Sequence, residues 1–139
     1  MKREIKFRGK RIDNDEWVTG FLVRSSEESA SIVKQYGTVD ISIYDVIPET
    51  VGQYAGLKDD RTEGEKMEIY EGNLVKATNK SGWTREFQII WNEDRAGFMV
   101  WCFSQPEISF DLTCDSIIDY HVIVVGNAYP SPELPEVAQ

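Results

Sequence analysis

The most constraining feature of this chain is a short alternation of polar and apolar residues that turn residues interrupt repeatedly. Along residues 2–11, charged side chains alternate with Ile5, Phe7 and Gly9, which is the period of a strand with one solvated face. Along residues 16–24, alternate side chains again share one face: Trp17, Thr19, Phe21 and Val23. No stretch keeps a helical period for long. The sequence therefore predicts a mostly β fold with few or short helices.

Further strands are predicted wherever β-branched and aromatic residues lie between turn signals. The strongest hairpin pairs residues 83–91 with residues 97–103 across the turn 92–96. The remaining predicted elements are strands at 29–36, 39–47 and 74–77, a single helical turn at 115–120 and a fully buried strand at 121–125.

The pattern also predicts two small β-sheet or barrel subdomains. The segment 56–66 is charged and has two glycines and no apolar period, so it is interpreted as the connecting loop. The predicted division is an N-terminal β subdomain over 1–55, the loop 56–66, a C-terminal subdomain over 67–129 and a proline-rich tail over 130–139.

Charge limits the classes of partner. The chain has 24 acidic and 15 basic residues, a formal net charge of -9, and a field of that sign repels phosphate backbones. We interpret the acidity mainly as a solubility feature. Residues 1–3 are not followed by the apolar run of a signal peptide, and the apolar run 122–125 is too short to span a bilayer. A cytoplasmic location in a bacterial host cell is expected.

The predicted N-terminal strand is the one strongly basic segment of this acidic chain. Residues 2–11 include six basic side chains and one acid, Glu4. A basic strand can meet nucleic acid, with Lys6, Arg8 and Lys10 as the candidate contacts. Lysines on an edge strand also deter aggregation between sheets, and we favour that interpretation. Pairing with acidic residues of the same chain is a third option.

No constellation for catalysis or metal binding is visible. Cys102 and Cys114 are too far apart for a CxxC site, and one histidine, His121, does not complete a four-ligand zinc site. Paired carboxylates such as Asp59 and Asp60 lack the calcium-loop spacing and are interpreted as solvated loop residues. We expect no enzymatic activity, no metal and no cofactor.

The strand over 97–103 is apolar on both faces, so it is either central or part of an interface. Trp101, Met99 and Phe103 are the candidate contacts with a partner or with a second subunit. A homo-oligomer is therefore one expectation, and a membrane partner is not expected.

Several segments together resemble the YopX family of phage and prophage proteins: 3–9, 47–59, 68–75, 124–129 and 132–134. Two departures are Asn73, where the family usually has Asp, and a longer, more charged loop over 60–67. The resemblance implies a small β-rich protein carried on mobile elements, without an established activity. The start at 71–75, followed by a long hairpin, also resembles SH3-like barrels, which is an analogy of fold only.

These observations lead to two functional expectations. The first is a non-enzymatic binding protein of a prophage or similar element that acts through protein contacts or self-assembly. The alternative is a nucleic-acid-binding accessory protein that uses the basic N-terminal strand.

Overall fold

The structure, a computed structural model, describes residues 4–128. Of these residues, 54% are in strands and 10% are in helices, so the prediction of a mostly β fold is confirmed. The chain separates between Tyr54 and Ala55 into two compact units, which we call unit 1 and unit 2. The predicted tail over 130–139 and the first residues of the predicted N-terminal strand lie outside the described residues.

Unit 1 is an antiparallel sheet in the order β4-β3-β2-β1, and β1 also pairs with the first residues of β5, a strand that continues into unit 2. Adjacent strands pair directly, with Phe21 opposite Val33 and Val33 opposite Ile43. The strands are β1 (Phe7–Lys10), β2 (Trp17–Ser26), β3 (Ser29–Tyr36), β4 (Asp40–Val46) and β5 (Gly52–Lys58), with a 3₁₀ turn at Pro48–Thr50. β5 continues to Lys58, so the predicted loop 56–66 begins three residues too early; Gly56, with φ +87°, accommodates the bend.

The sheet of unit 1 is strongly curled, because the end of β4 returns to the end of β1. An isolated bridge joins Arg11 and Val46, and the amide of Ile47 donates to the carbonyl of Lys10 at 2.9 Å. The amide of Lys10 donates to the buried Thr50 hydroxyl at 2.9 Å. The inner face of the curl holds a small core of Ala30, Ile32 and Val46, packed by Phe7, Val18, Leu22 and Val51.

Two glycines allow this tight curl. A Cβ on Gly9 would lie 2.9 Å from the Val46 side chain, and one on Gly20 would lie 2.3 Å from the carbonyl oxygen of Val33. Because backbone cannot move aside as a side chain can, Gly20 is the more restrictive position. The curl therefore depends on the absence of a side chain at these two points.

Unit 2 is built on a five-stranded antiparallel sheet in the order β10-β9-β8-β7-β11. A short strand β6 (Glu68–Tyr70) neighbours β5. The other elements are β7 (Asn73–Thr78), β8 (Thr84–Asn92), β9 (Gly97–Trp101), a 3₁₀ turn at Pro106–Ile108, β10 (Phe110–Asp111), the helix α1 (Cys114–Asp119) and β11 (Ile123–Asn127). Ile69, Val75, Ile89, Val100 and Val122 are fully buried in its core.

The sheet of unit 2 bears on two expectations. Of the two predicted alternatives, sheet or barrel, the structure has an open sheet with β10 and β11 at its edges, and the SH3-like form is not confirmed. The strand over 121–125 is not fully buried, since β11 is an edge strand and Val125 is 47% exposed. β9 does lie between two strands, and its adjacent residues Met99 and Val100, which point to opposite faces, are both buried.

Candidate functional site

The most exposed apolar surface of unit 1 is the convex face of its curled sheet. Side chains alternate along a strand, so residues beside those of the inner core point the opposite way. Phe21, Val33 and Ile43 form a direct cross-strand row, with Val23 and Ile41 beside them on the same face. We call these five residues the outer face.

Exposure distinguishes the outer face from a core. Phe21 is 60% exposed, Val23 54%, Ile41 59% and Ile43 63%, whereas Ile32 on the inner face is 0% exposed. Among positions 19–23, 31–35 and 41–45 that alternate onto this face, Asp45 alone is charged, and it accepts a hydrogen bond from the Ser31 hydroxyl at 2.9 Å. The outer face is thus an almost uncharged apolar patch on an acidic chain.

The basic candidates lie on the same side of the sheet as the outer face. Arg8 is opposite Thr19 and Lys10 is opposite Trp17. The Arg8 guanidinium lies 4.3 Å from the centre of the Trp17 ring, and the Lys6 ammonium lies 4.9 Å from the Tyr54 ring. Lys6 Nζ is also 3.4 Å from a carboxylate oxygen of Glu4.

The position of this basic strand tests one of the three interpretations, and pairing with acidic residues elsewhere in the chain stays a prediction. β1 lies between β2 and β5, so it is not an edge strand and the edge-guard interpretation is wrong. Cation–π contacts of this kind contribute about 0.5–2 kcal/mol each. The proposed nucleic-acid role of Lys6, Arg8 and Lys10 stays a prediction.

The three candidate interface residues of unit 2 do not form one exposed patch. Met99 is 8% exposed, Trp101 is half-buried and Phe103, beyond the end of β9, is 58% exposed. The rings of Trp101 and Phe103 meet edge to face, with centroids 6.3 Å apart. The role of these three residues as a partner or oligomer interface stays a prediction, with Phe103 the most accessible of them.

Asp59 is a site that the sequence interpretation missed. Its side chain is fully buried, so its description as a solvated loop carboxylate is wrong. One carboxylate oxygen accepts from the Met67 amide at 3.0 Å; the other accepts from the Val124 amide at 3.1 Å and from Arg61 Nε at 2.9 Å. Arg61 Nη2 in turn donates to the Val124 carbonyl at 2.7 Å.

The electrostatics of Asp59 follow from these contacts. Burial acts to raise the pKa of Asp59, but the hydrogen bonds from the Met67 and Val124 amides and from Arg61 outweigh it and hold the pKa below its ordinary value. Both backbone groups of Val124 on the edge strand β11 are occupied by this pair of side chains. The cluster therefore fixes the loop against the sheet edge and blocks that edge.

The neighbouring residues complete the cluster at the surface. The amide of Asp60 donates to the Val122 carbonyl at 2.8 Å, and the Asp60 carboxylate lies 2.9 Å from His121 Nδ1. Within residues 4–128, no group of three or more His, Cys, Asp or Glu side chains is placed to hold a metal ion. Cys102 is buried and Cys114 is exposed. No helix in the described range is long and apolar enough to cross a membrane.

Asn73, one of the two departures from the family pattern, is also buried, and its side chain is hydrogen-bonded at both ends. Its side-chain oxygen accepts from the Tyr70 amide at 2.7 Å, and its nitrogen donates to Asn127 Oδ1 at 2.9 Å. An aspartate here has no proton to donate to Asn127 when ionised. Asn73 is accordingly a structural residue of the turn before β7.

The fold defines a small antiparallel β protein of two compact units. The family described as YopX protein matches residues 6–136, nearly the whole chain. The chain belongs to the YopX family, which confirms the resemblance found in the sequence. Neither a search of curated proteins nor a search of solved structures returned a significant match.

Proposed function

We propose that this YopX family member is a non-enzymatic binding protein that associates with a second copy of itself through the outer face of unit 1. The single observation that supports this is the row of exposed apolar side chains on three paired strands. Exposed apolar patches of several hundred Å² on small domains commonly mark interaction sites. The origin on a mobile element and the bacterial cytoplasm as its setting belong to the same proposal.

The chemistry of the outer face selects its partner. A nucleic acid needs basic side chains and a basic protein needs acidic ones, and the five residues of the outer face are all uncharged. On the same side of the sheet, the basic side chains of Lys6 and Arg8 lie over the rings of Tyr54 and Trp17. Two acidic chains repel each other wherever charged surfaces meet, so a neutral face is where copies can approach. Two identical apolar faces on a two-fold axis are complementary by symmetry.

The size of the interface is also reasonable for a dimer. Packing two copies sheet on sheet removes eight side chains, each more than half exposed, from water. Full burial of such a side chain contributes about 1.5–3 kcal/mol, and nearly half of each is already buried in the single chain, so the gross gain from the eight is about 6–12 kcal/mol. Association costs about 4–15 kcal/mol in lost freedom, which makes a weak, concentration-dependent dimer the expected outcome.

Substitution Ile43→Lys tests the interface. Two lysines would then oppose each other in an apolar contact, and we expect the dimer dissociation constant to rise at least about 100-fold, or about 2.7 kcal/mol. Ile43 is 63% exposed in the chain, so unfolding free energy should stay within about 0.5 kcal/mol. Light scattering at matched concentrations measures the association.

The matched control is Val39→Lys. Val39 is 83% exposed in the turn before β4, outside the outer face, and its replacement changes charge and apolarity in the same way. We expect Val39→Lys to associate as the wild type does. Equal masses for Ile43→Lys and Val39→Lys would contradict the assignment of the interface.

A further inference from the structure

Unit 2 contains an open cleft of about 410 Å³ at the end of its core. It lies between the start of β8, the segment before β10 and the residue after α1, and a volume of this size is in the range of ligand sites. The side chains that matter are Trp83, Arg85, Phe87, Glu107, Phe110 and Tyr120.

The wall of the cleft is aromatic. The rings of Phe87 and Phe110 meet edge to face with centroids 5.6 Å apart, and Phe110 and Tyr120 lie 4.4 Å apart at 35°. Trp83 is 52% exposed at the mouth, and the Arg85 guanidinium lies 3.8 Å from its ring centre. The cleft therefore offers ring surfaces and one cation to an occupant.

The polar groups of the cleft are mostly donors. Arg85 Nε is buried and has no hydrogen-bond partner among residues 4–128. Asn79 Oδ1 already accepts from the amides of Ser81 and Trp83, so the other end of that amide, an NH₂ group, remains to donate. Ser109 Oγ accepts from the Cys102 amide and keeps its proton to donate. Glu107 is the one carboxylate in the lining.

A donor-rich aromatic cleft fits an extended segment with proline and acidic residues. Proline has no backbone N–H, and extended proline-containing peptides present unpaired carbonyl oxygens. Aromatic-lined grooves recognise such segments, and a glutamate would supply an anion for Arg85. This chain has one such stretch, residues 130–136, with three prolines, two glutamates and Leu134.

The end of this stretch is close enough to reach the cleft. Ala128 lies beside the start of β7, because its amide donates to the Gly72 carbonyl at 2.8 Å. Ala77, five residues further along, lines the cleft, a path of about 17 Å at 3.4 Å per strand residue. Six residues from Ala128 to Leu134 span up to about 20 Å. We propose that the cleft binds the end of this stretch, residues 134–136, in the same molecule.

A labelled peptide competes with that segment and so tests the proposal. The probe is a fluorescent synthetic peptide of residues 129–139, measured by anisotropy against the full-length chain and against a full-length Leu134→Ala, Pro135→Ala variant. A tethered segment competes at an effective concentration in the mM range. We expect the variant to bind the probe at least about 10-fold more tightly than the wild type.

Adding Arg85→Gln to that variant should remove most of the probe binding. If Arg85→Gln disturbs the fold, Trp83→Ala, at a more exposed position, tests the loss of probe binding instead. Circular dichroism of each variant verifies folding. Equal affinity of the wild type and the tail variant, absence of probe binding to both, or equal binding of a peptide with its prolines replaced by alanine would each overturn the proposal.

Discussion

Replacement of Asp59 by alanine is expected to lower the unfolding free energy by about 3–5 kcal/mol, as is typical when one partner of a buried ion pair is removed. The change leaves the amides of Met67 and Val124 without their acceptor and removes the partner of Arg61. Asn should also be poorly tolerated, because donors approach both carboxylate oxygens and an Asn nitrogen would face one of them. Urea titration at neutral pH measures both variants.

Asp60→Asn is the matched control for Asp59. Asp60 is the next residue, and its side chain is 24% exposed and pairs with His121 and with Lys66 Nζ at 3.7 Å. Exposed pairs of this kind contribute about 0–1 kcal/mol, so a loss of that size is expected. A larger loss for Asp60→Asn than for Asp59→Ala would contradict the account of the buried cluster.

The pH dependence follows from the lowered pKa of Asp59. The folded-state pKa lies below the ordinary value of 3.8, so the unfolded chain takes up a proton first as the pH falls. The stabilisation is therefore fully present above pH 3.8 and is lost as the pH falls through the folded-state pKa. The difference between the wild type and Asp59→Ala should shrink over that acidic range.

Replacement of Gly20 by alanine is the second large effect. Its Cβ would lie 2.3 Å from the Val33 carbonyl oxygen, far inside contact distance, so the ladder between β2 and β3 must shift. Overpacking of this kind costs about 1–3 kcal/mol or more. The midpoint of urea unfolding should fall with little change in its slope.

Gly97→Ala is the control for Gly20. Gly97 is also a strand residue, but an added Cβ there would meet the Arg95 carbonyl oxygen at 3.8 Å, an ordinary contact. We expect its unfolding free energy to stay within about 0.5 kcal/mol of the wild type. Equal midpoints for the two alanine variants would show that the curl of unit 1 does not depend on Gly20.

Local patterns predicted the elements well, because alternation and turn chemistry are properties of neighbouring residues. The third strand was predicted over 29–36 and is found as β3 over those residues. The pattern also showed that Trp17, Thr19, Phe21 and Val23 share a face. It could not show that this face points outward, since a period of two identifies which residues lie together and not which side the fold buries.

The direction of burial in β2 is set by contacts distant in sequence. Gly9 and Gly20 permit β4 to return to β1, which places Val18 and Leu22 inside and Phe21 outside. Asp59 was misinterpreted for a related reason. Its role depends on Val124, 65 residues away, and nothing in the local run of charges signals that an edge strand will lie beside it.

The central claim, that two copies associate through the outer face, is tested most directly by sedimentation equilibrium of the wild-type chain. Concentrations from about 5 to 500 µM cover the range expected for a weak dimer. We predict that the average mass rises from the 15.9 kDa of one chain toward twice that value. A mass that stays at 15.9 kDa over the whole range would contradict the proposed self-association.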